Sequence, residues 1–147
     1  MISIVCVGKL KEKYWQDAAA EYLKRLSRFN KTEVIELAEG TVDSESAAII
    51  KKLDDMPKAY AIALDVGGKS LNSEELAKKI ADLSLEGKSH IAFIIGGSDG
   101  YNDQVRKRVD FRLSFSSFTF PHQLMRVILL EQIYRSCKIN AGEKYHK

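Results

Sequence analysis

The segment FSSFTFPHQLMR, Phe115–Arg126, puts a histidine and an arginine four residues apart at the mouth of an apolar stretch. On a helix that spacing is about one turn, so the imidazole of His122 and the guanidinium of Arg126 would project from one face. Pro121 suits a helix start, because its missing N–H would be unpaired there anyway. A helix N-terminus favours anions and disfavours a protonated imidazole, so this place suits a histidine that accepts a proton. The competing reading is a histidine that only hydrogen-bonds to the backbone. Upstream, the run SSFTF supplies hydroxyls and backbone groups. At the C-terminus, Tyr145, His146 and Lys147 offer a ring that can stack on a base and cations that can meet phosphate.

Glycines add a second signal. Gly8, the pair Gly67–Gly68 and the set Gly96, Gly97 and Gly100 each follow an apolar run of strand length. Small residues there let backbone groups approach a ligand closely, and together they predict a pocket along one edge of a sheet. The common nucleotide fingerprints are missing. GGKS at Gly67–Ser70 has Ala63 where a phosphate-binding loop needs its first glycine, and VGKLKEK holds one glycine where a dinucleotide site needs three. A nucleotide-dependent oxidoreductase therefore lacks its phosphate site. GxSxG and HExxH are also absent.

The elements that would position these residues alternate. Strand-length apolar runs lie at Ile2–Val7, Glu33–Leu37, Tyr60–Asp65, His90–Ile95 and Phe111–Phe115. The third and fourth are apolar almost throughout, as in strands covered on both faces. Helical periodicity appears at Tyr14–Arg28, Ser44–Leu53, Glu74–Leu85, Asn102–Val109 and His122–Asn140. Asn72 or Ser73 could cap the third of these. The expectation is one α/β domain over residues 1–147, with a mainly parallel sheet of five to six strands flanked by helices. The last helix is apolar around most of its circumference, which calls for partners on more than one side; a symmetric homodimer is the simplest supply.

Composition sets further bounds. No apolar run is long enough to span a membrane, and the N-terminal MISIVCVGK reads as a first strand and not as a signal peptide. Cys6 and Cys137 read as two free thiols of a cytoplasmic protein. With three scattered histidines and two cysteines, no metal site is expected. The net charge of +3 is unevenly spread: residues 1–31 hold seven Lys/Arg against three Asp/Glu, residues 32–57 two against seven, and residues 101–147 nine against four. If the basic ends meet, they form a surface for a polyanion.

The motifs VGKLKEKYW, ALDVGGKSLNSEELA, FIIGGSDG, LSFSSFTFPHQLMRVILLEQIYR and the terminal YHK together resemble, over the whole chain, the bacterial ribosomal RNA large-subunit methyltransferases of the RlmH type, a minimal branch of the SPOUT class. One departure is that residues 38–58 look shorter than in most relatives. The resemblance implies a C-terminal trefoil knot, a homodimer, and transfer of a methyl group from S-adenosylmethionine to N3 of a pseudouridine in a stem-loop of 23S rRNA on the assembled ribosome. It implies cofactor contacts at Leu64, at Gly96 and Gly97, and at Phe115, Ser116, Ser117, Phe118, Thr119 and Phe120. His122 or His146 would then stand near the acceptor base, Arg126 would stabilise developing charge or hold phosphate, and Tyr145 would stack. The alternative is a non-catalytic RNA-binding ribosome-assembly factor.

Overall fold

The computed structural model describes residues Met1–Lys147. Five parallel strands form one sheet: β1 (Ile2–Val7), β2 (Thr32–Leu37), β3 (Tyr60–Ser70), β4 (Ile91–Ile95) and β5 (Phe111–Ser114), in the spatial order β2-β1-β4-β3-β5. The helices are α1 (Lys13–Leu26), α2 (Val42–Asp54), α3 (Ser73–Leu85), α4 (Asp103–Arg108) and α5 (His122–Asn140). The alternation of strand side chains splits the core in two. Ile2, Ile4, Ile62, Phe93 and Leu113 pack under α1, α3 and α5 on one face. Val5, Val7, Ala61, Ala63 and Ile94 pack against α2 and α4 on the other. Two-sided cover explains why β1 and β4 are buried at every position.

The predicted strands and helices all form, with ends shifted by a few residues, and one difference matters. β3 was expected to stop at Asp65, with Gly67 and Gly68 in the loop beyond it. It instead continues to Ser70, with a break in register: both Leu64 and Lys69 pair with Leu113. Residues 65–68 bulge out between those two pairings. Gly68 is required at the return, because a Cβ there would lie 2.6 Å from the Arg112 carbonyl oxygen. Asn72 caps α3 through a reciprocal bond with Glu75, as its sequence position suggested.

The chain leaving β3 runs to α3 on one face, and the chain leaving the adjacent β4 runs to α4 on the other. Diverging connections between neighbouring parallel strands open a crevice at their carboxyl ends. Helix α5 fills the middle of its face, with α1 and α3 alongside. Those two helices supply much of the cover that its apolar circumference demanded. Leu124 and Ile128 stay only half-buried on its outer side.

Candidate active site

A cavity of about 240 Å³ occupies that crevice. Leu64, Asp65 and Val66 form its β3 wall, Ile95, Gly96, Gly97, Ser98, Gly100 and Tyr101 its β4 wall, and the loop from Phe115 to Phe120 covers it, with His122 and Met125 of α5 also in the lining. The β4 wall is a tight turn in which the Gly100 N–H donates to the Gly97 carbonyl at 2.9 Å. Gly96 must be glycine for that turn to close: a Cβ would stand 2.9 Å from the Gly100 carbonyl carbon and 3.1 Å from the Tyr101 ring. Helix α2 braces the turn from behind. The Asn102 N–H donates to Ser46 Oγ at 3.0 Å, and the Asn102 amide donates to Asp43 at 3.1 Å. The covering loop is held by its own serines, since Ser116 Oγ accepts from the Phe118 N–H at 3.0 Å and Ser114 Oγ donates to the Ser116 carbonyl at 3.1 Å. Phe118 is left 77% exposed at the rim.

Of the residues expected at a cofactor site, Leu64, Gly96, Gly97, Phe115, Ser116, Phe118, Thr119 and Phe120 all line this one cavity; Ser117 points elsewhere. Gly67 and Gly68 do not line it, because the β3 bulge carries them to the β5 backbone. His122 lines it and makes no side-chain hydrogen bond within the chain, so its imidazole nitrogens are free for a ligand. Helix α5 begins at His122, with Pro121 as the residue just outside it.

Arg126 is placed differently from expectation. Its side chain is 4% exposed and lies under the sheet edge, where Nη1 pairs with Glu36 Oε2 at 2.6 Å and Nη2 donates to the Gly8 carbonyl at 2.9 Å. It does not line the cavity. The shared helix face is real, but the burial of α5 turns the second position inward onto β1 and β2. Burial pushes the neighbouring Cys6 thiol up to about 11, with the Arg126 charge pulling the other way.

Tyr145 and His146 also lie away from the cavity. The Tyr145 hydroxyl donates to Glu131 Oε2 at 2.7 Å, its ring meets Tyr134 edge-on at 5.0 Å, and the Arg135 guanidinium lies 4.8 Å over it. His146 sits between Arg135, 3.1 Å from Nδ1, and Glu74, 3.2 Å from Nε2. Glu131 and Arg135 follow His122 by nine and thirteen residues, which is roughly 14–20 Å along the helix.

Sequence reasoning missed Tyr101 and Asp65. Tyr101 is buried, and its hydroxyl donates to the Leu64 carbonyl at 2.9 Å, tying the β3 and β4 walls together. Burial, and then the Asp65 charge beside it, push its hydroxyl well above the usual tyrosine range. Burial pushes Asp65 upward as well. The Gly67 N–H and the Arg106 guanidinium nevertheless hold its carboxyl below the ordinary aspartate range. The available signals were an acid ending the apolar run ALD and an aromatic residue closing GGSDG. No cluster of three His, Cys, Asp or Glu side chains is placed to hold a metal, and no helix is long and apolar enough to cross a membrane. Both cysteines are free.

The one lining carboxylate, Asp65, is already paired with Arg106 and Arg112, and the lining suits a flat heteroaromatic ring against Phe115, Phe118, Phe120 and Tyr101. It contains no lysine or arginine, so it does not suit a pyrophosphate.

Comparison with known proteins identifies the family. A family profile described as "Predicted SPOUT methyltransferase" matches residues 1–146. The chain is 56% identical to the ribosomal RNA large subunit methyltransferase H of Clostridium novyi over 157 aligned positions, and 52% identical to that of Bifidobacterium adolescentis over 159. Each alignment covers 99% of both proteins. The aligned lengths exceed 147 residues, so the relatives carry insertions. Among solved structures, "a probable methylase family protein" from Haemophilus influenzae has a similar fold, with a TM-score of 0.60 at 14% identity, covering 99% of this chain and 70% of the other.

Proposed function

The chain belongs to the SPOUT methyltransferase family and is a ribosomal RNA methyltransferase, and from that premise we propose that it methylates N3 of a pseudouridine in a stem-loop of 23S rRNA, on the assembled ribosome, with S-adenosylmethionine as donor. The observation that supports this most is the convergence of the β3 end, the glycine turn and the Phe115–Phe120 loop on one cavity with aromatic walls. The aromatic walls fit adenine, and the backbone carbonyls of the lining fit a sulfonium.

When bound, S-adenosylmethionine supplies an electrophilic methyl group, so the remaining work is positioning and proton removal. The imide N3 of pseudouridine carries a proton and is a weak nucleophile until that proton leaves. His122, with no hydrogen-bond partner of its own, accepts it at a ring nitrogen. The Phe115–Phe120 loop excludes water and holds the acceptor base against the methyl group. Arg126 works through α5: by tying the second turn of the helix to Glu36 and Gly8, it fixes where His122 stands. Its guanidinium is already engaged, so its contribution to the developing negative charge is indirect.

Tyr145 and His146 reach a cavity from a second copy of the chain. In this reading the half-buried Leu124 and Ile128 on the outer side of α5 meet their counterparts in a homodimer, and each tail lies at the partner's cavity. The knotted threading of the C-terminal segment and a cytoplasmic location belong to the same proposal. The test is a labelled-methyl assay on free 23S rRNA, isolated large subunits and whole ribosomes, with the labelled nucleotide mapped. Incorporation at one pseudouridine, highest on whole ribosomes, is expected. Ribosome binding with no incorporation on any of the three would favour the non-catalytic assembly factor.

A further inference from the structure

We propose that the connection from β1 into α1 is the lip on which the RNA substrate docks, with Lys9 and Lys11 contacting phosphates and Tyr14 stacking on an unpaired base; this rests on the methyltransferase reading.

Position comes first. β1 and β4 are neighbouring parallel strands, about 4.8 Å apart. The chain leaving β1 therefore emerges beside the Gly96–Gly100 wall of the cavity. It is fixed there at three points. The Gly8 carbonyl accepts from Arg126, the Lys11 N–H donates to Gln123 Oε1 at 3.1 Å, and the Gln16 amide donates to the Leu10 carbonyl at 2.7 Å. Gln123 is the residue after His122, so the lip is tied to the first turn of α5 next to the free imidazole.

Charge decides what it binds. On the β3–β5 side of the cavity, Arg106 and Arg112 pair with Asp65, and Arg106 also with Asp103. On the flank where α1 meets α5, the basic ends of the sequence do come together, but Arg25 pairs with Glu21, Arg28 and Lys138 with Glu143, and Arg135 with Glu131. Lys9 and Lys11 are exposed and neither has a carboxylate partner. They follow the strand next to β4, on the side of the glycine wall, as cations without a carboxylate partner two residues apart, within about 7 Å along the chain, a separation that suits one backbone followed over consecutive phosphates. Tyr14, 62% exposed and edge-on to Trp15 at 4.9 Å, adds an open ring face. Cations tracking a backbone beside a stacking ring are the features of a single-stranded nucleic-acid contact.

The test is co-sedimentation of the full-length protein with purified ribosomes over a series of salt concentrations. The double variant Lys9→Ala/Lys11→Ala should bind about tenfold more weakly, and its log affinity against log salt should be shallower by about 1.5, as expected for two lost phosphate contacts. Tyr14→Ala should weaken binding with the slope unchanged, because stacking releases no counterions. Lys51→Ala/Lys52→Ala, the same charge change at the far end of α2, should match wild type. All should bind S-adenosylmethionine as wild type does. Wild-type affinity and slope for Lys9→Ala/Lys11→Ala, or an equal loss in Lys51→Ala/Lys52→Ala, would overturn the proposal. A wild-type protein whose ribosome binding depends on Lys9 and Lys11, yet which transfers no methyl group, would support the lip and remove the methyltransferase reading.

Discussion

The two ends of α5 treat their polar side chains in opposite ways. In the first turns, Arg126 is sunk into a pairing with Glu36 and Gly8 while His122, one turn away, has no partner and opens into the cavity. In the last turns, the ring side chains of the tail are engaged: Tyr145 is bound to Glu131, Arg135 spans Glu131 and His146, and His146 reaches Glu74. The first end holds one group rigid so that another can be free. The second end holds the tail in place as a unit. A group with unspent hydrogen-bonding capacity beside a cavity is a candidate for chemistry, whereas a satisfied network fixes shape.

Replacing His122 with alanine should break the first end's function outright. Turnover is expected to fall by about 10²–10⁴, while calorimetric binding of S-adenosylmethionine stays within a few-fold. Deleting Tyr145–Lys147 should produce the same split if the tail serves a partner's cavity. Heterodimers of a His122→Ala chain with a tail-deleted chain then distinguish the arrangements. If tails act in trans, one cavity in such a pair keeps both its own His122 and an intact partner tail, and about half the activity survives. If tails act in cis, none does.

Arg126→Met should cost stability on the order of 1–3 kcal/mol in urea denaturation, because it removes the bonds to Glu36 and Gly8 while Glu36, a third exposed, can turn to water. Glu36→Gln keeps a hydrogen-bond acceptor but leaves the buried Arg126 charge unpaired, so it should cost at least as much. Small losses in both would mean that the pairing does not hold the helix. Tyr145→Phe removes one hydroxyl from the tail network, and about 1.5 kcal/mol is expected, since the lost bond ran to a carboxylate.

The smallest effect concerns Cys6, packed beside the Arg126 pairing. Its thiol titrates near 9.0 when unfolded and at about 11 in the fold. Below pH 9 both states keep the proton and nothing changes. Above it the unfolded chain releases its proton first, so stability falls as pH rises towards 11, by about 1 kcal/mol at pH 10 relative to Cys6→Ala. A flat difference between pH 8 and 10.5 would mean that the thiol is not buried as described.

Much of this was legible in the residues, and what escaped had one physical cause. Continuous apolar runs identified two-sided strands, and Pro121 with His122 marked the start of α5 to the residue. The Phe115–Phe120 loop and the Gly96–Gly97 turn were expected at one pocket and line one cavity. Local pattern failed where the deciding contact is distant along the chain. Arg126 meets Glu36 ninety residues away and Tyr101 meets Leu64 thirty-seven away. The bulge at residues 65–68 exists because β3 resumes pairing with β5 after Gly68 slides past Arg112. A glycine pair followed by Lys69 and Ser70 looks like a loop until the neighbouring strand is known. Charge counting also misled in part, because the arginines of the basic ends meet their acids, Arg25 with Glu21, Arg28 with Glu143 and Arg135 with Glu131.

The central claim is that the cavity between the β3 end, the glycine turn and the Phe115–Phe120 loop holds S-adenosylmethionine. Isothermal titration of S-adenosylmethionine into wild-type protein and into Gly96→Ala, with circular dichroism confirming that both are folded, tests it most directly. The expected result is one molecule bound per chain in the wild type and a loss of at least tenfold in affinity when the added methyl group pushes Gly100 and Tyr101 into the cavity. No heat in the wild type, or identical binding in the two proteins, would contradict it.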